Sequence, residues 1–177
     1  MVKIANTFTA NAVMDFSVNT EDKIVINMVE FKDKENTVSV KHNVDLDDMA
    51  YIAWGVLIAW GVLTQSGFIY DEQKVNPYKT DENGKYQVSR FSIKYDPQKR
   101  NPWILTVENG VGDLIKRDNG TIGYQNYQKQ HSVTMYLNAK EAAKMFLRIQ
   151  NYVEFVYNNR NKQVLQELSH QRQDRER

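Results

Sequence analysis

Hydrophobic positions along this chain follow two periods, near two residues and near 3.6, and the change from one to the other happens twice. Residues 8–19 mix apolar and small polar side chains and predict a first strand of moderate quality. Residues 23–32 are richer in β-branched types, with Ile24, Val25, Ile26, Met28, Val29 and Phe31 in a run of strand length. After a polar turn at 33–36, residues 37–44 alternate through their first half and predict a further strand. Asp45 and Asp48 then precede an apolar run. That is the pattern of a helix N-cap with acids in the first turn, where the helix dipole favours negative charge.

No charged residue occurs from Met49 to Tyr70, and the middle of this run is the tandem Ile-Ala-Trp-Gly-Val-Leu at 52–57 and 58–63. A membrane span needs about 20 predominantly apolar residues. Thr64, Gln65 and Ser66 interrupt one end, and acids flank both sides without a Lys/Arg bias. The run therefore predicts a helix in a core or an oligomer interface rather than a membrane. The six-residue step places Trp54 and Trp60 about 120° apart around a helix, so the tandem is not one stripe.

Residues 71–85 are charged, contain Pro77 and end in Glu82-Asn83-Gly84, which predicts a connector. Residues 86–95 predict a strand with Phe91, Ile93 and Tyr95 on one face and Arg90, Ser92 and Lys94 on the other. A break at 96–102 is followed by strands at 103–108 and 113–117, each ending in Asn-Gly (Asn109-Gly110 and Asn119-Gly120), a strong hairpin signal. Strands at 121–127 and 131–137 complete an antiparallel meander. Asn138 with Glu141 forms a relative of the capping box. Ala142, Phe146, Ile149, Val153 and Val156 then give an amphipathic helix to about Asn158. Val164, Leu165 and Leu168 mark one more helical segment, and residues 171–177 lack apolar anchors and are expected to fray.

The two strand-to-helix junctions align without gaps. Ser39, Val40, Val44, Asp45, Asp48 and Ala50 match Ser132, Val133, Leu137, Asn138, Glu141 and Ala143 in type. The fold class expected is α+β, with two antiparallel meander-plus-helix halves. The pseudo-repeats cover about 1–70 and 85–160 of a single nucleic-acid-binding domain at 1–160, and residues 161–177 form a polar tail. An OB-type barrel capped by the helix after Asp45 is the alternative, and it predicts closure rather than two similar halves.

The 177 residues, 41% hydrophobic and 25% charged, suit an ordinary globular domain. The absence of cysteine excludes a disulfide framework, a thiolate nucleophile and Cys-ligated zinc. His42, His131 and His170 have no metal-ligand spacing and no partner nucleophile in view, so neither metal nor cofactor is expected. Gly110-Val-Gly112 starts a glycine pattern, but Ile115 stands where a dinucleotide fingerprint needs glycine. The N-terminus lacks the apolar core of a signal peptide, which predicts a cytoplasmic chain. A net charge of +1 conceals a split: residues 1–73 carry five lysines against eleven acids (−6), and residues 74–177 carry 18 basic groups against 11 acids (+7). An asymmetry of this kind points to a partner of definite sign.

Residues 74–100 interleave basic groups with rings. Lys85, Tyr86, Arg90, Lys94, Tyr95, Lys99 and Arg100, with Trp103 just beyond, are the first candidate site. Lys116, Arg117, Tyr124, Tyr127 and Lys129 are the second. A single-strand binder needs such a mixture, because cations track phosphates and flat rings stack on unpaired bases, each stack contributing about 1–3 kcal/mol. Strand alternation assigns Phe91 to the core.

The order meander, helix, meander, helix over residues 8–157 resembles the Whirly family and its half-length relative, the positive-cofactor-type transcriptional coactivator, in which a strand leads directly into a capped helix. The Lys-Gly-Lys-Ala-Ala-Leu strand of plant Whirly proteins is absent, and residues 22–31 carry acids where that motif has lysines. The resemblance implies single-stranded nucleic-acid binding on β-surfaces, with helices packing protomers into an oligomer, commonly a tetramer. The expectation is a non-enzymatic single-stranded DNA-binding homo-oligomer of phage, plasmid or bacterial type, with little sequence specificity and RNA as the other possible polynucleotide. An adaptor that assembles through its apolar helices and meets an acidic protein is the alternative.

Overall fold

The computed structural model describes residues 1–21, 23–32, 37–61 and 68–175. The turn expected at 33–36 and the tandem beyond Gly61 lie outside these residues, as does the side chain of Trp60. The first half is an antiparallel meander of β1 (Val2–Phe8), β2 (Ala12–Val18), β3 (Ile24–Phe31) and β4 (Thr37–Val44), paired in the order β1-β2-β3-β4. One residue, Asp45, separates it from α1 (Leu46–Gly61). The second half repeats the plan with β5 (Ile69–Thr80), β6 (Tyr86–Tyr95), β7 (Trp103–Lys116) and β8 (Ile122–Leu137), again paired in chain order. One residue, Asn138, leads into α2 (Ala139–Arg175). The protein is thus α+β, with two four-stranded sheets that stay open rather than closing into an OB-type barrel.

Alternation on the strands builds the core. Met14, Phe16, Ile24, Ile26, Met28, Val40 and Val44 face inward from the first sheet, and Phe91, Ile93, Trp103, Leu105, Val107, Val133, Met135 and Leu137 from the second. α2 covers the first sheet, where Phe146 meets Phe16 edge-on at 6.1 Å. α1 packs beside the second sheet and against α2, and a Cβ on Gly55 would lie 2.2 Å from the Phe68 ring, so glycine allows that approach. Asn138 caps α2 as expected, accepting a hydrogen bond from the Glu141 N–H at 2.9 Å. Asp45 occupies the equivalent position before α1, but its carboxylate turns to Lys74 at 2.7 Å. Among the described residues no helix is long and apolar enough to cross a membrane.

Several expected boundaries move. Residues 2–8 form β1 ahead of the expected first strand, and the turn between β1 and β2 falls inside residues 8–19. The connector at 71–85 is mostly β5, and its Pro77 is tolerated because β5 lies at a sheet edge, where a missing N–H costs no ladder bond. The second half therefore starts near residue 69 rather than 85. Asn109-Gly110 is no hairpin turn, since β7 runs straight through it, and β8 likewise joins the two strands expected at 121–127 and 131–137. The backbone stays helical to Arg175, past the end expected near Asn158.

Candidate nucleic-acid interface

The second sheet carries a change of polarity along its inward face. On β6, Phe91 and Ile93 are buried, but Ser89 and Gln87, in the same phase, are polar. On β7, Leu105 and Val107 give way to Asn109, and on β5, Tyr70 gives way to Lys74 and Asn76. β4 crosses the sheet at this boundary. There His42, 1% exposed, places Nδ1 2.9 Å from the Ser89 hydroxyl and Nε2 3.1 Å from the Glu72 carboxylate. These contacts give His42 partners that its sequence neighbours do not, and they tie β4 to β5 and β6. Asn109 makes a second tie: its Oδ1 accepts the Lys41 N–H at 2.8 Å and its Nδ2 donates to the Lys41 carbonyl at 2.7 Å. A side-chain amide thus stands in for a neighbouring strand at the outer edge of β4.

Beyond the crossing, the polar half of the sheet and the edge of β4 enclose an open groove of about 740 Å³. Lys23, Lys41, Lys74 and Lys79 line it, with Glu21 as its acid. Lys74 is committed inside the protein, 2.7 Å from Asp45 and 2.8 Å from Glu72, and Lys23 lies 3.8 Å from Glu21. Lys41 and Lys79 make no ion pair among the described residues. Burial alone would lift the Glu72 carboxyl, but hydrogen bonds from His42 and Lys74 outweigh it and hold the group below its ordinary 4.5. Burial would likewise lower Lys74, whereas its bonds to Asp45 and Glu72 raise it. Asp45, Asp48 and Glu72 form an acidic cluster of the kind that can hold a cation. The Lys74 ammonium, already bonded to two of them, is the cation it holds.

The opposite face of this sheet gathers four of the expected site residues. β-bulges at Asn109/Gly110 and Val111/Asp113 let β8 fold inward, with Asn126 at a φ of 52°. Tyr127 and Tyr124 come to lie over Gly110 and Gly112, their rings 5.7 Å apart. The Arg90 guanidinium sits 5.7 Å above the Tyr127 ring. Burial, then the nearby Glu108 charge, push the Tyr127 hydroxyl up to about 12. This face holds rings and cations together, but Arg90 pairs with Asp71 and Glu108, and Lys129 also pairs with Glu108. Its cations are largely neutralised by these neighbours.

The remaining expected residues are spread along the sheet. Lys85 and Tyr86 at the β5–β6 turn, and Lys116 and Arg117 at the β7–β8 turn, occupy one end. Lys94, Tyr95, Lys99 and Arg100 occupy the other, where Lys99 lies 5.4 Å over the exposed Tyr136 ring. Trp103 has no exposed surface and packs 4.9 Å from Tyr95, so it is a core residue and offers no face for stacking. It sits inward because it shares the phase of Leu105 and Val107. Sequence reasoning missed the groove residues Lys41, Asn43, Gln87 and Gln130. The readable signal was the pair Gln87 and Ser89 in phase with Phe91 and Ile93, a core face that turns polar partway along its strand. No family model matches this chain, and no curated protein or solved structure matches it either.

Proposed function

We propose that this protein binds single-stranded DNA without catalysing a reaction, and that it does so as a homo-oligomer. One observation carries the reading: an open, polar groove on a sheet otherwise used for core, lined by Lys41 and Lys79, which pair with no acid among the described residues. Unspent cations beside an extended concavity suit a flexible polyanion, whose phosphates they can follow while displacing condensed counterions. Tyr78, 93% exposed at the same groove, supplies a ring for a base. RNA presents the same phosphates and rings. The expected residues Lys85, Tyr86, Lys116 and Arg117 at the adjoining end of the sheet would extend the track.

Self-association is supported by an exposed apolar stripe on α1. Tyr51, Trp54 and Ile58, at 65%, 55% and 45% exposure, recur at helical spacing opposite the buried Met49, Ile52 and Val56. Leu147 and Phe155 add exposed apolar surface on α2.

The test is binding of a labelled oligo-dT across a salt series. For single strands the logarithm of affinity falls with log salt by about 0.7 per phosphate neutralised, so replacing both Lys41 and Lys79 by Ala should flatten the slope by about 1.4. A wild-type protein that retains no oligo-dT at low salt would refute the reading and favour the adaptor alternative.

A further inference from the structure

The groove contains more than cations. Asn43, Gln87 and Gln130 line it with side-chain amides that make no hydrogen bond among the described residues. Its wall is the outer edge of β4, the last strand of its sheet. Asn27 and Lys41 face each other as a pair whose backbone groups point away from the β3–β4 ladder, because the Lys41 N–H and C=O reach Asn109 instead. Ser39 and Asn43, two residues to either side, turn their N–H and C=O groups the same way. The groove therefore presents amides and backbone groups without a partner among the described residues, and together these can both donate and accept.

We propose that unpaired bases enter this groove edge-first, with Asn43, Gln87 and Gln130 bonding the base edges and Lys41 and Lys79 holding the phosphates. This rests on the single-strand reading and specifies how that site discriminates. A primary amide carries two donors and an acceptor, so rotation lets it complement any of the bases. Recognition then depends on a base being present and unpaired rather than on which base it is. Duplex DNA is excluded because its Watson–Crick edges are already bonded to each other. The groove volume is that of a small-molecule site, which limits the contact to a few nucleotides at a time.

The experiment compares oligo-dT with an abasic oligonucleotide of equal length and charge, at one low salt concentration. Wild-type protein should bind the abasic strand about tenfold or more weakly, since each lost hydrogen bond contributes about 0.5–1.5 kcal/mol. The Asn43→Ala, Gln87→Ala, Gln130→Ala triple variant, with its melting temperature checked against wild type, should lose most of that preference. The Lys41→Ala, Lys79→Ala variant should weaken both ligands and keep the ratio. Equal wild-type affinity for the two strands overturns the edge-first mode while leaving single-strand binding intact. An unchanged ratio in a folded triple variant overturns the assignment to these amides. Binding of neither strand refutes the single-strand reading itself.

Discussion

Glu72 is the residue on which the seam between the sheets turns. Its side chain is 15% exposed, and it accepts from His42 and Lys74 at once, so the charged carboxylate is worth more folded than unfolded. Because its folded pKa lies below the ordinary 4.5, its contribution to stability is complete above that value and is lost as pH falls through the lowered one. Acid should therefore weaken the fold beginning below about pH 4.5, the unfolded carboxyl range. Glu72→Gln should cost about 1–3 kcal/mol at neutral pH, by leaving Lys74 and His42 short of a charged partner. It should also flatten the acid limb of the stability curve, as read by denaturant melts across pH. An acid limb as steep in the variant as in wild type would show that other carboxylates govern it.

At the scale of elements, the bulged pair β7–β8 depends on Gly110. A Cβ there would lie 2.2 Å from the Gln128 carbonyl oxygen and 2.7 Å from the Tyr127 ring, so backbone as well as side chain would have to shift. Gly110→Ala should destabilise by about 1–3 kcal/mol, the usual cost of overpacking, and should loosen Tyr127, which tyrosine fluorescence anisotropy would register. An alanine variant with wild-type stability would mean that β8 relaxes easily. The same element shows what the sequence could and could not reveal. The strand-to-helix junctions at Asp45 and Asn138 were legible because helix starts are marked by local residue types, although only Asn138 caps with its side chain and Asp45 turns to Lys74. Asn109-Gly110 reads as a turn because the same dipeptide serves turns and close strand approaches, and only the partner strand decides which. The groove escaped for a related reason: Lys41 and Gln87 are far apart in sequence, and nothing local shows that β4 crosses the second sheet beside both.

At the scale of the whole molecule, the two meanders differ in what their helices leave uncovered. The stripe of Tyr51, Trp54 and Ile58 on α1 is apolar surface that stays largely exposed, with Tyr51 meeting the Tyr70 ring at 6.5 Å. Trp54→Glu should shift sedimentation toward a smaller species and leave the melting profile of the isolated protomer intact, because the side chain already faces outward. An unchanged sedimentation coefficient would remove α1 from the interface. The Asn109 amide has a separate consequence at this scale. An uncapped terminal strand such as β4 would offer a continuous row of backbone groups to any passing chain, the template from which fibrillar stacking grows. With the centre of that row already occupied at Lys41, only short open stretches remain on either side. A long foreign strand cannot zip along them, so the edge keeps open backbone groups, which the proposed nucleotide contacts would use, without inviting sheet-to-sheet growth.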